Sequence, residues 1–214
     1  MLCRHSKFFE KALNGSFREA AERVIKWPTE THKLFELVTD WLYYQRFLHA
    51  EIYEESVHEY EFEKRETGGL LCCDVISLNV RLYIFEETYA ISKLKRAAFD
   101  AIEKEVREQR TATFWYETVI KAFENLPAEC PLLDYMVHNY VSNYNSRHDG
   151  PHGGAETSLR VELPHNFLLR LAVALGTRYH AKDDFRRFEL CRCHQHETPD
   201  EAHECWLASP DRRK

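Results

Sequence analysis

Apolar positions near the start of the chain recur at helical spacing, broken once by an extended run. Following Ser6, which can cap a helix, Phe8, Phe9, Ala12 and Leu13 share one face for about two turns, and Asn14-Gly15 supplies the stop. Val24, Ile25 and Trp27 form a β-prone run cut off by Pro28, too short for more than one strand. Thr31 then caps a stronger helix in which Leu34, Phe35, Leu37, Val38, Trp41 and Leu42 keep the helical period, closed by Tyr43 and Tyr44. A lone short strand leaves its backbone groups unpaired on both sides, so it requires partners from elsewhere.

From Gln45 to Leu78 the period fades and acid takes over: Glu51, Glu54, Glu55, Glu59, Glu61, Glu63 and Glu66 stand against only Lys64 and Arg65. This reads as a solvated loop or exposed helix. The sharper alternative is an acidic docking insertion with Ile52, Tyr53, Val57, Tyr60 and Phe62 as contact residues. Gly68-Gly69 ends it, and the run from Leu70 to Leu78 is apolar enough for the core, with Cys72 and Cys73 as packed thiols.

Leu82, Tyr83, Phe85, Tyr89, Ile91, Leu94, Ala97, Ala98 and Ile102 are spaced as the buried stripes of two packed helices with a turn at Ala90 to Ser92. Two further helices are expected between Thr111 and Asn143. Phe114, Trp115, Val119, Ile120 and Phe123 line the first, and Leu132, Leu133, Met136, Val137 and Tyr140 line the second, with the break at Asn125-Leu126-Pro127 and Pro131. Residues 145–156 form the clearest linker. Beyond it, Leu163-Pro164 starts a short amphipathic helix with Phe167, Leu168, Leu171 and Leu175 facing inward.

The opening stretch resembles the BTB/POZ fold in the form common in filamentous fungi. The residues that match its run are Leu2, Cys3, Arg4, His5, Ser6, Phe8, Phe9, Ala12, Leu13, Gly15, Phe17, Glu19, Ala20, Ile25, Pro28, Phe35, Glu36, Leu37, Trp41, Leu42 and Tyr43. VRLYIFEETYAISKLKRAAFDAI is similar to the family's "LYVFADKYxIxxLxxxAxDAI", except that Glu86 replaces a small residue; if buried, its carboxylate must be paired or turned outward. In that family a two-stranded hairpin precedes the first helix and supplies the strand's partners. The resemblance therefore implies a domain lacking this hairpin, from a fragment or a shortened gene product, with an exposed sheet edge that favours aggregation or dimerisation.

Composition narrows the classes. The 214 residues can bury a real core; 30% are charged and the net charge is −6, which gives no general electrostatic case for direct contact with nucleic acid or an anionic membrane. No window approaches the roughly 18 apolar residues of a membrane span, and the N-terminus lacks the pattern of a secretory signal, so cytoplasm and/or nucleus is expected. Seven cysteines, an odd number without an even framework, suit a reduced compartment better than a disulfide scaffold.

Candidate metal chemistry is confined to the tail, where Cys191, Cys193, His194, His196, His203 and Cys205 crowd into fifteen residues. Cys191-x-x-His194 forms a knuckle, and His196 and Cys205 would complete a tetrahedral zinc site. Thr198-Pro199-Asp200-Glu201 is a good helix start, from which Cys205 would project. His203 falls on another face and Cys193 competes with Cys191. The alternative is a charged tail whose cysteines merely pack and whose histidines titrate. The tail also resembles the "CxxHxHExxxxxxxC" ending of many fungal BTB proteins, matching at Cys191, His194, His196, Glu197 and Cys205.

The expected fold is mainly α within an α+β class: a BTB/POZ-like helical cluster with a small residual sheet over residues 1–105, interrupted by the acidic insertion 45–78. A C-terminal helical extension follows over 106–190, then the Cys/His-rich tail 191–214. The expected function is non-catalytic protein–protein interaction, by self-association or as an adaptor for a cullin-type ubiquitin ligase or a transcriptional regulator. Phe8, Phe9, Trp41, Tyr43, Tyr53 and Tyr60 are the candidate partner-binding residues. No small-molecule substrate is expected, and no cofactor beyond a structural zinc. The alternatives are a small metal-dependent enzyme built on His194, His196, Glu197 and His203, and a shortened inactive paralogue.

Overall fold

Local signals near the N-terminus produce three short helices. The computed structural model describes residues 2–25, 32–44, 72–108, 113–144, 158–181, 196 and 198–208, and these are mainly helical, with no strand among them. Leu2–His5 (α1) leads into Lys7–Asn14 (α2), whose N-cap is Ser6; its hydroxyl accepts from the Phe9 N–H at 3.2 Å. Gly15 ends α2 because only glycine fits: a Cβ there would lie 2.4 Å from the Lys11 carbonyl oxygen. Arg18–Glu22 (α3) follows, held by the Arg18–Glu22 pair one turn apart and ended by Arg23 in the left-handed region.

The expected strand fares differently. Val24 and Ile25 carry no strand pairing, and Trp27 and Pro28 lie outside the described residues. The β-branched run has no second strand among the described residues to satisfy its backbone, and a helix unforeseen in the sequence occupies Arg18–Glu22.

His32–Tyr44 (α4) buries Leu34, Leu37, Val38, Trp41 and Leu42, the i, i+3, i+4, i+7, i+8 stripe read from the sequence, while Tyr43 and Tyr44 remain exposed. Cys72–Tyr89 (α5) differs in kind. Ile76, Leu78, Val80, Leu82, Tyr83, Ile84 and Phe85 are all buried, so apolar side chains surround it rather than form one stripe. A helix apolar on all sides belongs at the centre of a core, and α2 and α4 both pack against it. Residues 72–78, part of the run read as apolar enough for the core, form its first two turns. The turn at Ala90 has a positive φ of 54°, and Ser92–Glu108 (α6) continues with Leu94, Ala98, Phe99 and Ile102 buried.

The chain divides into two compact units, Met1–Ile102 and Glu103–Lys214. In the second, Tyr116–Asn125 (α7) and Pro131–Asn143 (α8) pack together, and Pro131 occupies the first helical turn, where its missing N–H costs nothing. Tyr140 donates its hydroxyl to the Phe114 carbonyl, fixing the backbone two residues before α7. A short 3₁₀ turn at Leu159–Glu162 leads into His165–Ala181 (α9), which is long rather than short. The residues 145–156, read as a linker, lie outside the described set.

The face of α9 is also displaced from expectation. Phe167 is buried against Phe123 and Tyr140, ring centroids 5.5 and 5.2 Å away, and Leu171 is half-buried. Leu168 and Leu175, expected inward, are instead exposed, because Arg170 and Arg178 pin the helix in another rotation. Arg170 bonds Asp134 at 2.9 Å and the Ala128 carbonyl, and Arg178 bonds the Val141 carbonyl. Pro199–Ala208 (α10) begins as foreseen: the Thr198 hydroxyl accepts from the Glu201 N–H at 3.1 Å.

Candidate interaction surface

Tyr89, the last residue of α5, organises the N-terminal unit's aromatic cluster. Its ring stacks on Phe9 at 5.5 Å, meets Phe8 edge-on at 5.2 Å and lies 4.4 Å from Phe85. Ser6 ties the same place in the backbone: while capping α2 it donates its hydroxyl to the Tyr89 carbonyl. The N-terminus of α2 and the C-terminus of α5 are thereby held by one buried side chain.

Beside this cluster opens a cleft of about 240 Å³, lined by Phe8, Tyr89, Val24 and Ile25 with Arg18, Glu19 and Glu22 at its edge. Phe8 is 41% exposed, whereas its neighbour Phe9 is fully buried. Successive residues of a helix point about 100° apart, so one can enter the core while the next faces water. Glu22 is engaged by Arg18, with Nε and Oε1 2.5 Å apart; Glu19 is exposed at the rim.

The candidate partner-binding residues therefore separate. Phe8 lines the cleft and Tyr43 is exposed on α4, so both present surface. Phe9 and Trp41 do not: they are core residues, Trp41 meeting His5 edge-on at 6.4 Å, because each sits on the apolar stripe of its helix. Tyr53 and Tyr60 lie outside the described residues. Tyr89 and Val24 were legible in the sequence only as core and strand. Their place in the cleft depends on α3 folding beside them.

A buried charge cluster lies behind the turn after α5. Glu86 is 2% exposed, with Oε2 unbonded and 4.0 Å from the Lys95 ammonium, which itself bonds Glu87 and sits 5.1 Å from the Tyr83 ring centroid. Burial pushes the Glu86 carboxyl up to about 7, outweighing the attraction of Lys95. The sequence expectation that a buried Glu86 be paired is met only in part.

Of the expected zinc donors, Cys191 and His194 lie outside the described residues. His196 and Cys205 are both half-buried, Cys205 on α10 as foreseen. Among the described residues no group of three or more His, Cys, Asp and Glu is placed to hold a metal ion. No described helix is long and apolar enough to cross a membrane. No family model matches the chain, and comparison with curated proteins and with solved structures gives no match.

Proposed function

We propose that this chain is a non-catalytic protein-interaction protein of the BTB/POZ class, in which the N-terminal unit receives an apolar side chain of a partner in the cleft at Phe8 and Tyr89. The cleft is the observation that carries this reading. It joins a half-exposed aromatic floor to the exposed Glu19 carboxylate, a combination suited to an apolar side chain with a basic group beside it. The BTB-like residues support the same reading, since Phe9, Trp41, Leu82, Tyr83, Phe85, Ile91 and Leu94 are all buried. Of the partners the resemblance implies, a cullin-type ubiquitin ligase is the one taken forward.

Calorimetric titration of the full chain with a purified cullin tests it. The expected result is a dissociation constant of about 10 µM or tighter. Phe8→Asp and the rim reversal Glu19→Arg are each expected to weaken binding about tenfold or more, as loss of an anchor side chain or of charge complementarity does. Glu19→Arg leaves the aromatic cluster untouched and so separates binding from folding. Absence of binding, or binding indifferent to both substitutions, would sink the proposal.

A further inference from the structure

The last turn of α5 carries two acids and no base: Glu86 and Glu87 sit together at the negative end of the helix dipole. Glu87 is half-buried and takes the bond of the Lys95 ammonium, whereas Glu86 is buried with its Oε2 unbonded and Lys95 4.0 Å away. Lys95, from α6, and Glu87 are the charged groups that act on Glu86; among the described residues of α2 and α4, the helices packed on α5, none does. Tyr89 ends the same turn. Its ring stacks on Phe9, its carbonyl accepts the Ser6 hydroxyl, and the next N–H, that of Ala90, closes the turn on the Glu86 carbonyl at 2.6 Å.

We propose that this turn is a proton-operated latch: with Glu86 neutral it stays wound and seats Tyr89 against Phe9, and when Glu86 gives its proton to solvent it unwinds, taking the Tyr89 side from the cleft. A buried carboxylate must find a cation or water. The cation is committed: moving Lys95 to Glu86 would leave Glu87 uncompensated at the same helix end, so two carboxylates share one ammonium either way. Water is close by. Thr88 and Ala90 are exposed on either side of Tyr89, and a helix end opens at less cost than its middle because its last carbonyls lack partners within the helix. Unwinding also releases Ala90 from a φ of 54°, a conformation its Cβ opposes. Burial pushes the Glu86 carboxyl up to about 7 against the pull of Lys95, with Glu87 adding to the rise and the Ile91 N–H opposing it. The latch is therefore closed in mildly acidic solution and open in mildly alkaline solution.

The latch belongs to the N-terminal unit itself, so the full chain tests it without a partner. NMR of isotope-labelled protein is compared at about pH 5.5 and about pH 8.5, on either side of the Glu86 titration. Helical Cα shifts over residues 86–89 and the ring contact of Phe9 with Tyr89 should be present at the lower pH and lost at the higher, while α4 stays helical at both. Glu86→Gln should keep the turn wound and the contact intact at both. Glu87→Gln frees Lys95 to pair with Glu86, and should keep Tyr89 seated even at the higher pH. A wild-type chain that retains the contact at both values overturns the proposal, Glu86 then charging in place. So does loss of the contact in Glu86→Gln, melting of α4 together with the end of α5, or release of Tyr89 in Glu87→Gln at the higher pH.

Discussion

Glu86 is a buried carboxylate, 2% exposed, and its consequences belong to a single side chain. Its carboxyl has an ordinary value of 4.5 and retains its proton up to about 7 in the folded chain, because burial disfavours the charge more than Lys95 at 4.0 Å favours it. Between those values the folded state binds more protons than the unfolded one, so this group's contribution falls as pH rises from about 4.5 and is fully lost above about 7. The size of that loss is about 3 kcal/mol. Glu86→Gln removes the titration while leaving Lys95 its bond to Glu87. In urea unfolding the variant should match the wild type near pH 5 and exceed it by up to about 3 kcal/mol near pH 8. A difference constant across pH would show that Glu86 does not titrate in this range.

At the scale of elements, the turn from α5 to α6 concentrates strain in one residue. Ala90 takes a φ of 54° while its N–H bonds the Glu86 carbonyl at 2.6 Å, the left-handed arrangement that usually ends a helix on glycine. An alanine Cβ costs about 1 kcal/mol in that region. Ala90→Gly should therefore raise stability by up to roughly 0.6 kcal/mol, the added freedom of the unfolded chain offsetting part of the relief. Calorimetric melting would detect it, and a lowered melting temperature would contradict the account. The helices around this turn were legible where one stripe was apolar, as along α4 from Leu34 to Leu42. They were harder to read where α5 is buried all round, because no polar face marks its period. α3 escaped notice because Arg18–Glu22 buries nothing and rests on local pairing.

For the whole molecule, the expectations set by the tail remain chemical ones. Zinc held by Cys191, His194, His196 and Cys205 would tie the tail's knuckle to α10. Elemental analysis of protein purified without chelator should then give about one zinc per chain, and Cys205→Ser should lower it. A ratio near zero would leave a tail whose cysteines merely pack. The two compact units carry separate open surfaces, the cleft at Phe8 in the first and the outer face of α9 in the second.

The sequence alone determined what depends on neighbours along the chain. Ser6 and Thr198 are caps, Gly15 is a stop, Ala90 lies at a turn, and Leu37, Leu94 and Met136 belong to the core. These follow from hydrogen bonds a few residues long and from a 3.6-residue period. Tertiary structure alone decided which way a broadly apolar helix turns. α9 offers apolar residues on nearly every side, and Arg170 and Arg178 fix its rotation by bonding Asp134 and carbonyls 37 to 42 residues away. It likewise decided that Phe8 and Phe9, adjacent in sequence, divide between surface and core, because the buried ring stacks on Tyr89 eighty residues later. Such long-range partners leave no periodic trace in the chain, since a pattern along one helix records how much of it is apolar and not which neighbour it meets.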